Sequence, residues 1–168
     1  MEFITKLETT LAGWYKQVPF HLPPSARKWL TVNVWWLVLV GVVLSVLGLV
    51  SALKGMMYMN EVASQYEAIA GYYNVRDSSW NYNTALWVSV VFSLVIVVIE
   101  ATAIQPLKSL KKRGWDLLFL AMLVSALSAI VGAVLSYSLG SLIGAAIGLA
   151  IGGYFLFEIH PFGSRKAK

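Results

Sequence analysis

The feature that most constrains this chain is an unbroken run of 41 residues without a charged side chain, at positions 117–157. A single helix of that length would be about 60 Å long, at 1.5 Å per residue. The hydrocarbon core of a bilayer is only about 30 Å thick. The run must therefore fold back once, and the segment SYSLGS at 136–141 is its only plausible turn. The result is a hairpin of two spans, at 115–136 and 140–158; the alternative is a re-entrant last helix, which its glycines would permit.

Two more stretches are long and apolar enough to cross a membrane. Residues 29–53 form a charge-free run of 25 residues, and residues 84–104 contain Glu100 as their one charged side chain. In the whole chain 58% of residues are hydrophobic and 12% are charged, whereas soluble domains average about 25% charged residues. The sequence therefore predicts an all-α membrane protein that folds as a four-transmembrane-helix bundle at 25–168.

The segments outside the spans have their own patterns. Residues 1–24 predict an amphipathic helix followed by a proline-rich linker; the apolar face lies either in the membrane interface or on the protein's own inner surface. Residues 55–83 are too polar to span and predict an external amphipathic segment. Residues 105–114 form a basic loop, and Pro106 is expected to end the second span because proline disrupts a helix interior.

The distribution of basic residues predicts the orientation. With the N-terminus inside, eleven Lys and Arg residues lie on the cytoplasmic side, and only Lys54 and Arg76 lie outside. This positive-inside bias predicts that both termini are cytoplasmic, in a plasma membrane and most simply a bacterial inner membrane. The basic rim is expected to attract anionic lipid headgroups. Nucleic acid is not an expected partner, because the basic segments are short, lie next to the membrane and carry no base-stacking motif.

Small residues recur at helical spacing in the spans. Helices in lipid associate by close backbone approach, which small residues allow. The last span carries glycine at every fourth position and the first span carries a second series: Gly140, Gly144, Gly148 and Gly152, and Gly41, Ser45 and Gly48. These series predict either packing within the bundle or contact with a second copy or a larger membrane complex.

Two acidic residues near the cytoplasmic ends of spans are candidate site residues. Glu100 lies about one turn inside the second span, and Glu158 lies at the matching depth of the fourth. One interpretation makes them a proton or cation site at the inner mouth. The other makes them partners of the basic rim, with Lys112 or Arg113 pairing with Glu100.

The remaining composition limits the chemistry. The chain has no cysteine and only two histidines, so we expect no metal centre and no cofactor. No nucleophile, base and stabilising group converge in the sequence, and an enzyme is not expected. Two function hypotheses remain: a non-enzymatic membrane scaffold or accessory subunit that acts through helix–helix contacts, and a small oligomeric transporter or channel with Glu100 at its pathway.

Three short stretches resemble a loose group of small bacterial membrane proteins, sometimes labelled chromate-transporter-like. They are LPPSARKWL at 22–30, KKRGWDLLF at 111–119 and GGYFLF at 152–157. The resemblance implies a bacterial four-span protein without an assigned activity, and it carries over no functional residue.

Overall fold

The computed structural model describes residues 2–73, 79–136 and 139–163, and it is all-helical, with no strand in those ranges. Five helices follow one another along the chain: α1 (Glu2–Tyr15), α2 (Pro24–Tyr73), α3 (Ser79–Lys108), α4 (Lys112–Ser136) and α5 (Leu139–Gly163). Each of the last four contains a stretch long and apolar enough to cross a membrane: Pro24–Tyr58, Leu86–Lys108, Lys112–Leu135 and Leu142–Ile159. The predicted helical class and the four candidate spans are confirmed.

The four long helices pack in chain order. The helix α3 packs extensively against both α2 and α4, and α4 packs against α5. Three residues separate α3 from α4 and two separate α4 from α5, so each pair forms an antiparallel helical hairpin. The ring is closed by a much sparser contact between α2 and α5, which makes this seam the weakly packed side of the bundle.

The first long helix does not end with its apolar stretch. The sequence predicts an external amphipathic segment at 55–83, and the structure shows that α2 continues without interruption into this segment as far as Tyr73. At 1.5 Å per residue its 50 residues extend about 75 Å. No proline follows Pro24 in this helix, and a lone glycine such as Gly55 costs only about 1 kcal/mol relative to alanine. The first part of the predicted external segment, as far as Tyr73, therefore continues the helix of the span.

The turn between α3 and α4 corrects the role expected for Pro106. That proline lies inside α3, which continues to Lys108. The helix ends at Lys108 and is capped by Leu110, whose φ of 53° is left-handed. The Lys111 amide donates to the Pro106 carbonyl at 2.9 Å, and the Leu110 amide donates to the Leu107 carbonyl at 2.9 Å. This pair of bonds is a Schellman cap, so the carbonyl of Pro106 helps to close the helix two residues beyond its own ring.

The same turn brings the start of α4 into close contact with the end of α3. A Cβ added at Gly114 would lie 2.7 Å from the backbone nitrogen of Leu107 and 2.8 Å from its Cγ. Both the backbone of Leu107 and its side chain, which is buried, are fixed by the turn. Glycine at position 114 is therefore needed for the hairpin to close.

We predict that Gly114→Ala lowers the free energy of unfolding by about 1–3 kcal/mol, the usual cost of overpacking a close contact. The matched control is Gly132→Ala on the same helix, where an added Cβ would meet no atom within 4 Å. Alanine favours a helix over glycine, so the control should unfold at the same or a higher denaturant concentration. Denaturation in detergent micelles measures both changes, and equal midpoints for the two variants would contradict the close approach.

Candidate functional site

An aromatic cluster holds together the end of the bundle at which α4 begins and α5 ends. Trp115 stacks on Phe119 with ring centroids 5.3 Å apart, and Phe157 meets the Trp115 ring edge-on at 5.8 Å. The Trp115 indole N–H donates to the Leu156 carbonyl at 2.9 Å. All four residues are buried. The cluster fixes the end of α5 against α4 and gives a rigid base for the segments that cross it.

The first helix lies on this base. Leu7, Leu11, Ala12 and Tyr15 of α1 pack against the aromatic cluster, and Tyr15 stacks on Phe157 at a centroid distance of 5.9 Å. These contacts place one face of α1 on the protein's own surface, and its placement in the membrane interface stays a prediction. Trp14 remains 66% exposed, so α1 also presents one aromatic side chain away from the bundle.

Glu158 is the buried charge of this end. It is 1% exposed, the only buried charged residue among those described. Its Oε1 accepts a hydrogen bond from the Leu22 amide at 2.9 Å and lies 3.3 Å from Nδ1 of His21. Its Oε2 forms an ion pair with Nε of Arg27. One carboxylate on α5 thus contacts both the proline-rich linker and the first turn of α2.

Two tyrosines complete these contacts. The Tyr15 hydroxyl lies 3.1 Å from His21 Nδ1. Burial raises the pKa of Tyr15 well above its ordinary value, and its hydrogen bond to Glu158 raises the pKa further, so the phenol stays protonated. The Tyr154 hydroxyl donates to the Phe20 carbonyl at 3.2 Å. We call this set the Glu158 latch: Glu158, Tyr154, Tyr15, Phe20, His21, Leu22 and Arg27.

The structure separates the two acidic residues that the sequence paired by depth. Glu158 belongs to the latch, and Arg27 is its basic partner. Glu100 lines an interhelical cleft instead. Sequence reasoning missed the roles of Tyr15 and His21 in the latch. The signal available in the sequence was charge complementarity. His21 and Arg27 lie on either side of the prolines that connect α1 to α2, and Glu158 is the one acidic residue near the end of α5.

The cleft that contains Glu100 opens along the weakly packed α2–α5 seam and has a volume of about 670 Å³. Its walls are apolar apart from Glu100 and Ser125. It is lined by Leu30, Val34, Leu37, Val38 and Gly41 of α2, Glu100 of α3, Leu118, Ala121, Met122 and Ser125 of α4, and Ala145, Gly148, Leu149, Gly152, Phe155, Leu156 and Ile159 of α5.

Glu100 is the only ionisable side chain in that lining. The expected pair of Glu100 with Lys112 or Arg113 is wrong: Lys112 lies 3.9 Å from both Glu8 and Asp116, and Arg113 makes no ion pair with Glu100 among the described residues. Lys108 lies over the Trp35 ring at 5.4 Å, and Arg27 belongs to the latch. Within residues 2–73, 79–136 and 139–163, Glu100 makes no ion pair. The carboxylate is therefore available to a group outside the chain.

The glycine series lie on the open side of the bundle. A Cβ added at Gly41, Gly48, Gly144, Gly148 or Gly152 would meet no atom within 4 Å. Gly41, Gly148 and Gly152 line the cleft, whereas Gly48, Gly144 and the exposed Ser45 do not. The surroundings of Gly140 lie outside the described residues. No close helix contact inside the chain uses the described glycines of either series.

The described residues contain no cluster of three or more His, Asp or Glu side chains that could hold a metal ion. The latch, whose buried carboxylate is paired with Arg27, and the cleft with its single carboxylate are the polar features considered as sites. Chemically, the latch can fasten one segment to another, and the cleft can accept an apolar or an amphipathic body.

We predict that Glu158→Gln loosens α1, because it leaves Arg27 without its counter-charge and weakens the contact with the Leu22 amide. Hydrogen bonds to charged groups are worth about 1.5–3 kcal/mol, so trypsin should cleave after Lys16 at least about tenfold faster. The control is Asp116→Asn, which removes a half-exposed carboxylate from a surface pair worth less than about 1 kcal/mol. An unchanged cleavage rate in Glu158→Gln would show that the latch does not hold the linker.

Comparisons with protein-family models, with curated proteins and with solved structures give no significant match to this chain. The resemblance of residues 22–30, 111–119 and 152–157 to small bacterial membrane proteins therefore stays a prediction. Function has to be argued from the cleft, the latch and the outer helix faces.

Proposed function

We propose that this chain is an integral membrane protein whose non-enzymatic role is that of a scaffold or accessory subunit, acting through helix–helix contacts. The observation that carries the proposal is the open glycine surface. In lipid, helices gain little from hydrophobicity when they associate, and they rely on small residues that let backbones approach. This chain has such positions on two helices, and a Cβ added there would meet no atom of another helix within 4 Å.

The spacing of the glycines supports the same role. Gly41, Gly48 and Gly55 recur every seven residues on α2, a period that keeps one face towards a partner helix in left-handed packing. Gly144, Gly148 and Gly152 recur every four residues on α5, the spacing of small-residue dimer motifs. Glycine is used internally at Gly114, where the helices touch. Gly48, Gly55 and Gly144, which lie outside the cleft and where an added Cβ would meet no atom within 4 Å, are best explained by a second copy of the chain or by another membrane protein.

The proposed orientation has both termini in the cytoplasm of a bacterial cell, with the protein in the inner membrane. Its support is the grouping of basic residues at the latch end, where Lys112 reaches Glu8 of α1 and Lys108 reaches Trp35 of α2. A positive end is retained on the cytoplasmic side, where anionic lipid headgroups would contact it.

A small oligomeric transporter or channel is the second candidate, and one observation favours it. Glu100 lines an apolar cleft at membrane depth and has no ionic partner among the described residues. Acidic residues in such positions commonly mark ion or substrate pathways. The scaffold is favoured because the rest of the lining provides only one hydroxyl, that of Ser125, along the path.

The orientation predicts the result of reporter fusions. Fusions after Lys168 and within the α3–α4 turn should report the cytoplasm, because both lie among the eleven basic residues of one side. A fusion near Asp77 should report the outside. An external C-terminus would require an odd number of crossings and would rule out the α4–α5 hairpin as two full spans.

The scaffold role predicts that Gly144→Leu leaves a folded chain and abolishes its larger species, since a leucine blocks backbone approach at a position where an added Cβ meets no atom of the chain within 4 Å. The matched control is Ala146→Leu, an exposed position about 200° around the helix from Gly144. Size measurement in nanodiscs, together with a thermal melt, separates the effects. Retention of the larger species in Gly144→Leu would exclude this face as the interface.

A further inference from the structure

The size of the interhelical cleft indicates what kind of body fits it. Its volume of about 670 Å³ lies within the roughly 300–1,000 Å³ typical of small-molecule sites, which are apolar with a few placed polar groups. A transmembrane helix, about 10 Å across and 30 Å long, needs several times that volume. The cleft therefore suits a small molecule better than a partner helix.

The single carboxylate indicates the charge of that molecule. Glu100 is the only ionisable group in the lining, and the basic residues Arg27, Lys108 and Lys112 contact other groups. A charge among apolar walls is costly when it is left alone, and attraction to an opposite charge strengthens as the surrounding dielectric falls. The Ser125 hydroxyl already donates to the Ala121 carbonyl at 2.9 Å, so its oxygen remains an acceptor. Both polar groups thus favour a positive ligand.

We propose that the cleft binds a small amphipathic cation, an apolar body carrying one positive charge, with that charge beside Glu100. The apolar body packs between α2 and α5, where Gly148 and Gly152 leave room that any side chain would occupy. The ligand enters sideways from the membrane through the sparse α2–α5 contact. Cation binding goes beyond the scaffold role and does not depend on it.

Two probes of opposite charge and similar shape test the proposal on the unmodified protein. Tetraphenylphosphonium and tetraphenylborate are each titrated against the full chain in phosphatidylglycerol nanodiscs, with empty discs subtracted for partition into lipid. We expect saturable binding of the cation and none of the anion. Equal binding of both, or of neither, would overturn the proposal without recourse to any variant.

Variants then locate the site. Glu100→Gln should weaken tetraphenylphosphonium binding at least about tenfold, because it removes the counter-charge and keeps the shape, and Glu100→Asp should restore part of the affinity. Gly148→Leu should abolish binding by filling the cleft. Gly144→Leu, one turn away and outside the lining, should stay within about threefold of the unmodified chain. Circular dichroism and a thermal melt confirm that each variant is folded.

The controls separate this proposal from its alternatives. A Gly144→Leu chain that loses its larger species but keeps cation binding would support both the scaffold role and the site, whereas one that keeps its size and its binding would support the site alone. Unchanged affinity in folded Glu100→Gln would overturn the role of the carboxylate. Complete competition when half of the lipid is replaced by phosphatidylethanolamine would show that a lipid amine, and not a freely diffusing cation, occupies the cleft.

Discussion

The arrangement of the N-terminal part of this protein depends on one buried carboxylate. Glu158 is almost fully enclosed near the end of α5, and its two oxygens contact the Leu22 amide, His21 and Arg27. A buried charge persists only where partners offset its lost hydration. The linker and the first turn of α2 must therefore stay near α5, and α1 is brought onto the aromatic cluster that Trp115 and Phe157 form. The interaction fixes geometry more than it adds net stability, because the desolvation of the pair offsets much of its attraction.

That fixed end has a consequence for the opposite side of the bundle. The linker contact ties the start of α2 to the end of α5 at the latch, while along their lengths the two helices touch only sparsely. Joined at one end and separated beyond it, they leave a cleft that is floored by α4 and reached by Glu100 of α3. In water such an apolar opening would collapse or draw in a partner. In lipid it carries little cost, because hydrocarbon chains solvate its walls as well as leucine does.

The sequence predicted the parts of this structure that depend on solvent alone. Four apolar stretches follow from the length of a bilayer crossing, and each predicted span lies within a few residues of a candidate span. The predicted turn at 136–141 includes residues 137 and 138, which lie outside the described residues. The sequence did not predict the features that depend on contacts between particular residues. The local sequence does not show whether the first span and the polar segment after it form one helix, and the structure has them in a single helix of 50 residues, α2. Pro106 was expected to end α3 because Leu110, the residue that caps this helix, is not a glycine and so gives no signal of a cap. The latch joins Glu158 to Leu22 and His21, which precede it by 136 and 137 positions in the chain. No sequence periodicity predicts a contact over that separation.

The two uses of glycine in this chain explain why the candidate site could be anticipated only in part. At Gly114 the neighbouring helix is so close that a methyl group would strike the Leu107 backbone. At Gly148 the same residue type borders open space. The spacing of glycines in the sequence does not reveal this difference, since glycine at either position, 114 or 148, favours a smooth helix face. The difference depends on the placement of α2 relative to α5, which the latch sets. Because of this placement Gly148 and Gly152 line the cleft, whereas Gly144 lies on the outer surface. The role of Glu100 also depends on the fold. Its sequence position suggested a partner in the basic rim, but Lys112 contacts Glu8 and Asp116 instead, and Glu100 is the single charged residue that lines the apolar cleft.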